Sequence, residues 1–171
     1  MSDKDQHKVW RLGADIDTDQ LAPGAYMKLG IDGIAPHCLE VVRPEFAAAV
    51  RQGDVIAAGP NFGIGSSREQ AAGALVQLGV RAVIAPSFSG LFFRNAFNLG
   101  LLLLTCKEAE QLNEGEQVTL DLQQMQVVTA NGRQLACDPI PDFLLDMVQA
   151  GGLMNTLRRR LQQSPSTRAA S

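Results

Sequence analysis

Apolar and polar positions along this chain fall into three regimes. Lys8 to Leu12 carries Val9, Trp10 and Leu12 and predicts a short strand; helical spacing returns at Pro44 to Val50. Next comes a strand–helix alternation. Asp54 to Ala57 predicts a strand and Gly59 to Gly65 a glycine-rich turn. Ser66 to Leu78 predicts a helix with the stripe Ala71, Ala74, Leu75 and Leu78, stopped at Gly79. Arg81 to Pro86 is a continuous apolar run of the kind buried on both faces of a parallel sheet. Leu91 to Asn98 predicts a second helix, ended near Gly100, and Leu101 to Leu104 another buried strand.

The last third has a different rhythm. Gln117 to Leu122 and Gln126 to Thr129 alternate as half-buried strands do, and Asn131-Gly132 is a turn pair. Pro141 opens a helix at its favoured first turn, and the helical pattern runs with one Gly-Gly interruption to Leu161. The β–turn–α–β–α–β order in the middle predicts an α/β fold. Two segments lack periodicity. Asp15 to Gly24 is a loop rich in aspartate, with Asp15 and Asp17 placed to turn the chain. Tyr26 to Glu40 is polar and glycine-containing and reads as a loop with room to move. One domain over residues 1–161 is expected, and 162–171, small and polar, as a disordered tail.

Composition narrows the function classes. With one Trp, one Tyr and seven Phe in 171 residues, the core must be mostly aliphatic. A net charge of −3 argues against nucleic acid as a partner, because binding it takes a basic face. The dense basic run Arg158 to Arg160 falls near a helix end, where cations complement the dipole. No apolar run has the length of a membrane span and no signal-like segment opens the chain, so a cytoplasmic location is expected. Cys38, Cys106 and Cys137 are odd in number and widely spaced, which predicts inert buried thiols rather than disulfides or a cluster-ligating set. His37 beside Cys38 supplies only two groups, too few for a metal site.

The chemistry concentrates in NFGIGSSREQ, Asn61 to Gln70. Gly63 and Gly65 allow a sharp turn and close approach of a ligand to the main chain. Ser66 with Glu69, or Ser67 with Gln70, fits the capping-box pattern, so a well-capped helix with no chemistry is one reading. Two adjacent serines followed by Arg68 support another. Free amides at a helix start favour an anion, and an arginine fork matches a carboxylate. The segment lacks the GK[ST] of a phosphate-binding P-loop, and Arg68 stands where a dinucleotide fingerprint needs its third glycine.

The strings GPNFGIGSSREQAAGAL and GVRAVIAPSFSGLFFRNAFNLGLLLL, with DIDTDQLAPGAYMK upstream, resemble the swivelling domain of the aconitase superfamily. The resemblance is greatest to the free-standing small subunits of 3-isopropylmalate dehydratase and homoaconitase, and it runs from Asp15 to Leu104. It implies a single swivelling β/β/α domain with a mixed, largely parallel sheet core and flanking helices. It also implies a subunit of a heteromeric hydro-lyase that acts on a malate-type di- or tricarboxylic acid. 3-Isopropylmalate in leucine biosynthesis leads, with homoaconitase and alkylmalate (dimethylmalate) dehydratases as alternatives. No cofactor is expected on this chain; a [4Fe-4S] cluster is expected on an iron–sulfur large subunit. The resemblance assigns Ser66 as the base that removes a proton alpha to a carboxylate, Ser67 and Arg68 as substrate-carboxylate ligands, and Asp19 as an active-site acid. It places Lys28, among Tyr26, Met27 and Leu29, on a loop covering the substrate's distinguishing group, where Lys28 either meets a carboxylate or points to solvent. Ile64 stands where many relatives have Cys, and Gln70 replaces a His of single-chain aconitases; Arg94 and Asn95 read as structural. A stand-alone anion-binding module is the non-enzyme alternative, and a homo-oligomer of the isolated chain stays open.

Overall fold

The computed structural model of the chain describes residues 5–163. Strand β1 (His7–Arg11) leads to a one-turn helix α1 (Thr18–Leu21), a 3-10 turn (Gly24–Leu29), α2 (Gly30–Ile34), a second 3-10 turn (Ala35–His37) and α3 (Phe46–Ala49). The alternating middle follows as β2 (Val55–Ala57), α4 (Glu69–Gln77), β3 (Ala82–Ala85), α5 (Gly90–Asn98) and β4 (Leu102–Thr105). The chain then forms β5 (Gln117–Asp121), β6 (Gln126–Thr129), β7 (Gln134–Ala136), α6 (Asp142–Ala150) and α7 (Leu153–Gln163).

All seven strands join one mixed sheet in the order β4-β3-β2-β1-β5-β6-β7. β1 to β4 pair in parallel, and β1 pairs antiparallel with β5, which begins an antiparallel meander. Successive right-handed crossovers that each advance one strand in the same direction leave their helices on one face. α4 and α5 accordingly pack against each other. Every residue of β2 and β3 is buried, whereas β6 alternates between buried and half-buried positions. The central strands are thus covered on both faces, as their unbroken apolar runs predict. The sheet curls until its two edges meet: the Asp138 N–H, just past β7, donates to the Thr105 carbonyl of β4 at 2.8 Å.

The core is mostly aliphatic, with a few aromatic contacts such as the edge-on pair Trp10–Phe46, 5.1 Å between centroids. Buried Asp54 is satisfied by the Trp10 indole N–H and the Arg51 amide, each at 2.9 Å.

Three expectations change. Tyr26 to Glu40 folds as two 3-10 turns flanking α2, because Ile34, Ala35, Cys38 and Leu39 are buried and tie the segment to the core. β7 is a strand only through its pairing with β6, which a three-residue stretch does not announce. α4 begins at Glu69 rather than Ser66. The helical C-terminus breaks at Gly151–Gly152 as its sequence predicts, with both glycines at positive φ. α7 runs through Gln163, and the rest of the expected tail, 164–171, lies outside the described residues.

Candidate active site

The glycine loop 59–68 leaves the C-terminal end of β2 and is fixed by partners far away in sequence. The Gly63 N–H donates to the Ile16 carbonyl at 2.7 Å, and the Ile64 carbonyl accepts from the Thr18 N–H at 2.8 Å. The Asn61 N–H donates to Ser87 Oγ and its side-chain amide to Asp15, at 2.8 and 2.9 Å. Two glycines are required by what surrounds them. At Gly63, φ is +84°, and a Cβ would stand 2.2 Å from Phe92 Cγ. At Gly65, φ is +112°, and a Cβ would stand 2.9 Å from Thr18 Oγ1. The same Thr18 hydroxyl accepts the Ser66 N–H at 3.1 Å.

These constraints correct the capping expectation. Thr18 holds the Ser66 amide and Gly65 turns the chain, so both serines lie ahead of the helix and Arg68 is the N-cap of α4, without a side-chain cap bond. The capping box forms instead at α1. The Asp17 carboxylate accepts the Gln20 N–H at 2.8 Å, and the Gln20 side chain accepts the Asp17 N–H at 3.0 Å. Ser66 and Ser67 are exposed, and neither hydroxyl has a hydrogen-bond partner among the described residues. They stand at the positive end of α4, where unsatisfied amides favour an anion.

The structure brings Asp19 and Arg68 together. Arg68 Nη1 donates to Asp19 Oδ1 at 3.0 Å and to the Ala22 carbonyl at 2.8 Å. Nε and Nη2 of Arg68 have no partner among the described residues, which leaves one edge of the fork for a ligand. The Gly24 N–H donates to Asp19 at 2.9 Å. That amide, and after it Arg68, hold the Asp19 carboxyl below its ordinary value, so Asp19 stands as a carboxylate. Ser66, Ser67, Arg68 and Asp19 thus gather on one open rim. A groove of about 520 Å³ between α5, α6 and α7, lined by Phe93, Phe97, Phe143 and Leu157 among others, includes none of them.

Lys28 lies on the 3-10 turn that starts at Gly24 and is exposed. Tyr26 stacks on His37 at 3.6 Å and 7°, and His37 Nδ1 meets Glu40 at 2.7 Å. Thr18 is the positioning residue the sequence concealed. It reads there as a turn former, and its bond to Ser66 spans 48 positions of chain. No group of three or more His, Cys, Asp or Glu side chains is gathered as a metal site among the described residues. Burial pushes the Cys38 thiol up to about 12, and Cys106 and Cys137 engage each other. These thiols do not fit the three- or four-thiolate set of an iron–sulfur cluster.

The curled mixed sheet carries an exposed serine–arginine rim at the end of its parallel strands, and it matches an aconitase-type domain. The aconitase C-terminal domain family matches residues 39–109. The methanogen homoaconitase small subunit of Methanothermobacter thermautotrophicus is 45% identical, over 86% of this chain and 87% of its own. The 3-isopropylmalate dehydratase small subunit 1 of Archaeoglobus fulgidus is 41% identical over 90% of this chain and 98% of its own. The crystal structure of 3-isopropylmalate dehydratase (leuD) from Methanocaldococcus jannaschii superimposes with a TM-score of 0.86 at 37% identity, covering 94% of this chain and 98% of that one. The chain belongs to the family of 3-isopropylmalate dehydratase and homoaconitase small subunits.

Proposed function

We propose that the chain is the small subunit of a heteromeric hydro-lyase, with 3-isopropylmalate in leucine biosynthesis as the leading substrate. Its partner is an iron–sulfur large subunit, and the assembly works in the cytoplasm. The observation that carries the reading is the Arg68 guanidinium, anchored through Nη1 by Asp19 and Ala22 with its other donors unengaged, directly after two exposed serines. A cluster held by the partner would supply Lewis-acid chemistry to the bound substrate. This chain supplies the rest. Arg68 and Ser67 hold a substrate carboxylate and fix the adjacent carbon over Ser66. The Ser66 hydroxyl, as its alkoxide, takes the alpha proton. An alkoxide there is stabilised by the helix start and Arg68, donors fixed before the charge develops. Asp19 acts ionised, positioning Arg68 rather than donating a proton. Lys28, on its exposed turn, reads the substrate's variable arm.

Homoaconitase is the second reading. It is favoured by the 45% identity to a homoaconitase small subunit and by the cation at Lys28, which suits an extra carboxylate. The test is reconstitution with a cluster-bearing large subunit, assayed against an alkylmalate and a tricarboxylic homologue. Turnover is expected only from the reconstituted pair. Dehydratase activity of the purified chain by itself would refute the subunit reading.

A further inference from the structure

The seam where the sheet closes on itself holds two thiols. Cys106 follows β4 and Cys137 follows β7, and these are the two edge strands of the sheet. The hydrogen bond from the Asp138 N–H to the Thr105 carbonyl, 2.8 Å, links the peptide preceding Cys106 to the peptide following Cys137. Both cysteine backbones are pinned. The Cys106 N–H donates to the Ala85 carbonyl at 2.9 Å and the Cys137 N–H to the Met125 carbonyl at 2.8 Å. The two thiols interact across the seam, and Cys137 Sγ reaches the Leu135 carbonyl at 3.8 Å. Cys106 is buried and Cys137 is partly exposed, so Cys137 is the member of the pair nearer to solvent. Cys38 is buried elsewhere in the core.

We propose that Cys106 and Cys137 are a redox pair that closes into an intramolecular disulfide across the sheet seam when the chain meets a low-molecular-weight disulfide such as oxidised glutathione. The exchange balances without further reactants. The Cys137 sulfur attacks one glutathione sulfur as its proton passes to Cys106, the glutathione S–S bond breaks, and one glutathione thiolate leaves. The Cys106 thiolate then attacks Sγ of Cys137, and the second glutathione leaves. Two protein thiols are oxidised and one glutathione disulfide is reduced, while the two thiol protons pass to the departing thiolates.

The pair is prepared for the first step. Interaction with Cys137 lowers the Cys106 thiol to about 7, against burial and the nearby Glu108 and Asp138 carboxylates, and the Cys137 thiol is raised in return. Cys106 is thus the readier thiolate near neutrality, placed to draw the proton from Cys137 as Cys137 attacks and to attack Cys137 in turn. The product welds the edge of the parallel half to the edge of the antiparallel half, where one backbone hydrogen bond already joins them.

The test uses the full-length chain equilibrated with oxidised glutathione, quenched, and alkylated under denaturing conditions. One of the three cysteines should remain alkylatable, and peptide mapping should identify it as Cys38 and recover a Cys106–Cys137 bridge in a monomeric product. Tm should rise by roughly 5–10 °C and fall back with dithiothreitol. Cys137→Ser, at a partly exposed position, should fold normally and show neither the bridge nor the rise. Three free thiols after treatment, a lasting Cys137–glutathione adduct without the bridge, or a bridge through Cys38 would each overturn the proposal.

Discussion

Two segments border the serine pair, and they are held in opposite ways. Residues 61–68 are over-determined. Main-chain bonds to Ile16 and Thr18, a side-chain bond to Ser87 and two crowded glycines leave that backbone one path. Residues 24–34 are built from short helical turns on the surface, with Lys28 and Leu29 exposed and Tyr26 braced on His37. Under the proposed function the difference separates two tasks. A base that must meet one proton needs a fixed position, because a misplacement of about 1 Å costs on the order of 100-fold. A side chain that distinguishes substrate arms sits better where sequence and conformation vary without disturbing the core.

The largest expected effect tests the rigid side of this comparison. Gly63→Ala drives a methyl into Phe92 Cβ and Cγ at a φ of +84° and should destabilise the fold by about 3 kcal/mol, read as a lowered urea midpoint. A loss under about 0.5 kcal/mol would mean that the loop yields easily. Next comes Arg68→Lys, which keeps the charge and loses the fork. The reconstituted enzyme should lose about 2 kcal/mol of substrate affinity, seen as a raised KM with a smaller change in kcat.

Asp19 gives a signed pH prediction. Its carboxyl is held below the ordinary 3.8, first by the Gly24 N–H and then by Arg68. The pairing is therefore complete above the ordinary value and is lost only as pH falls through the lower folded one. The KM profiles of wild type and Asp19→Asn should run parallel through neutral and mildly acidic pH. A divergence near neutrality would make Asp19 a titrating acid. The smallest effect belongs to the surface segment. Lys28→Val should move the ratio of kcat/KM toward an alkylmalate and away from a tricarboxylate by less than about tenfold, under about 1.4 kcal/mol. An unchanged ratio would assign Lys28 to the solvent.

What the sequence reveals about this molecule follows the range of the interaction. β2, β3, β4 and α5 are legible because their apolar runs and spacing are local consequences of burial. Ser66, Ser67 and Arg68 stand out because hydroxyls and a guanidinium at a helix mouth are side-chain types that suit an anion, as the proposed function requires. The start of α4 is misread by three residues for a physical reason. The capping pattern is satisfied on paper at Ser66, and only the remote bond from the Ser66 amide to Thr18 shows that the chain is still turning there. The Cys106–Cys137 contact is hidden for the same cause, since it exists only once the sheet has curled enough to bring its edges together.

The most direct measurement is kcat of the Ser66→Ala chain reconstituted with its large subunit, taken with Tm and KM on the same preparation. The Ser66 hydroxyl has no partner among the described residues and Arg68 occupies the cap, so removing the hydroxyl should change stability by less than about 0.5 kcal/mol. With the base gone, kcat should fall by about 10²–10⁴ while KM holds. A stable Ser66→Ala complex that turns over within a few-fold of wild type would contradict Ser66 as the base.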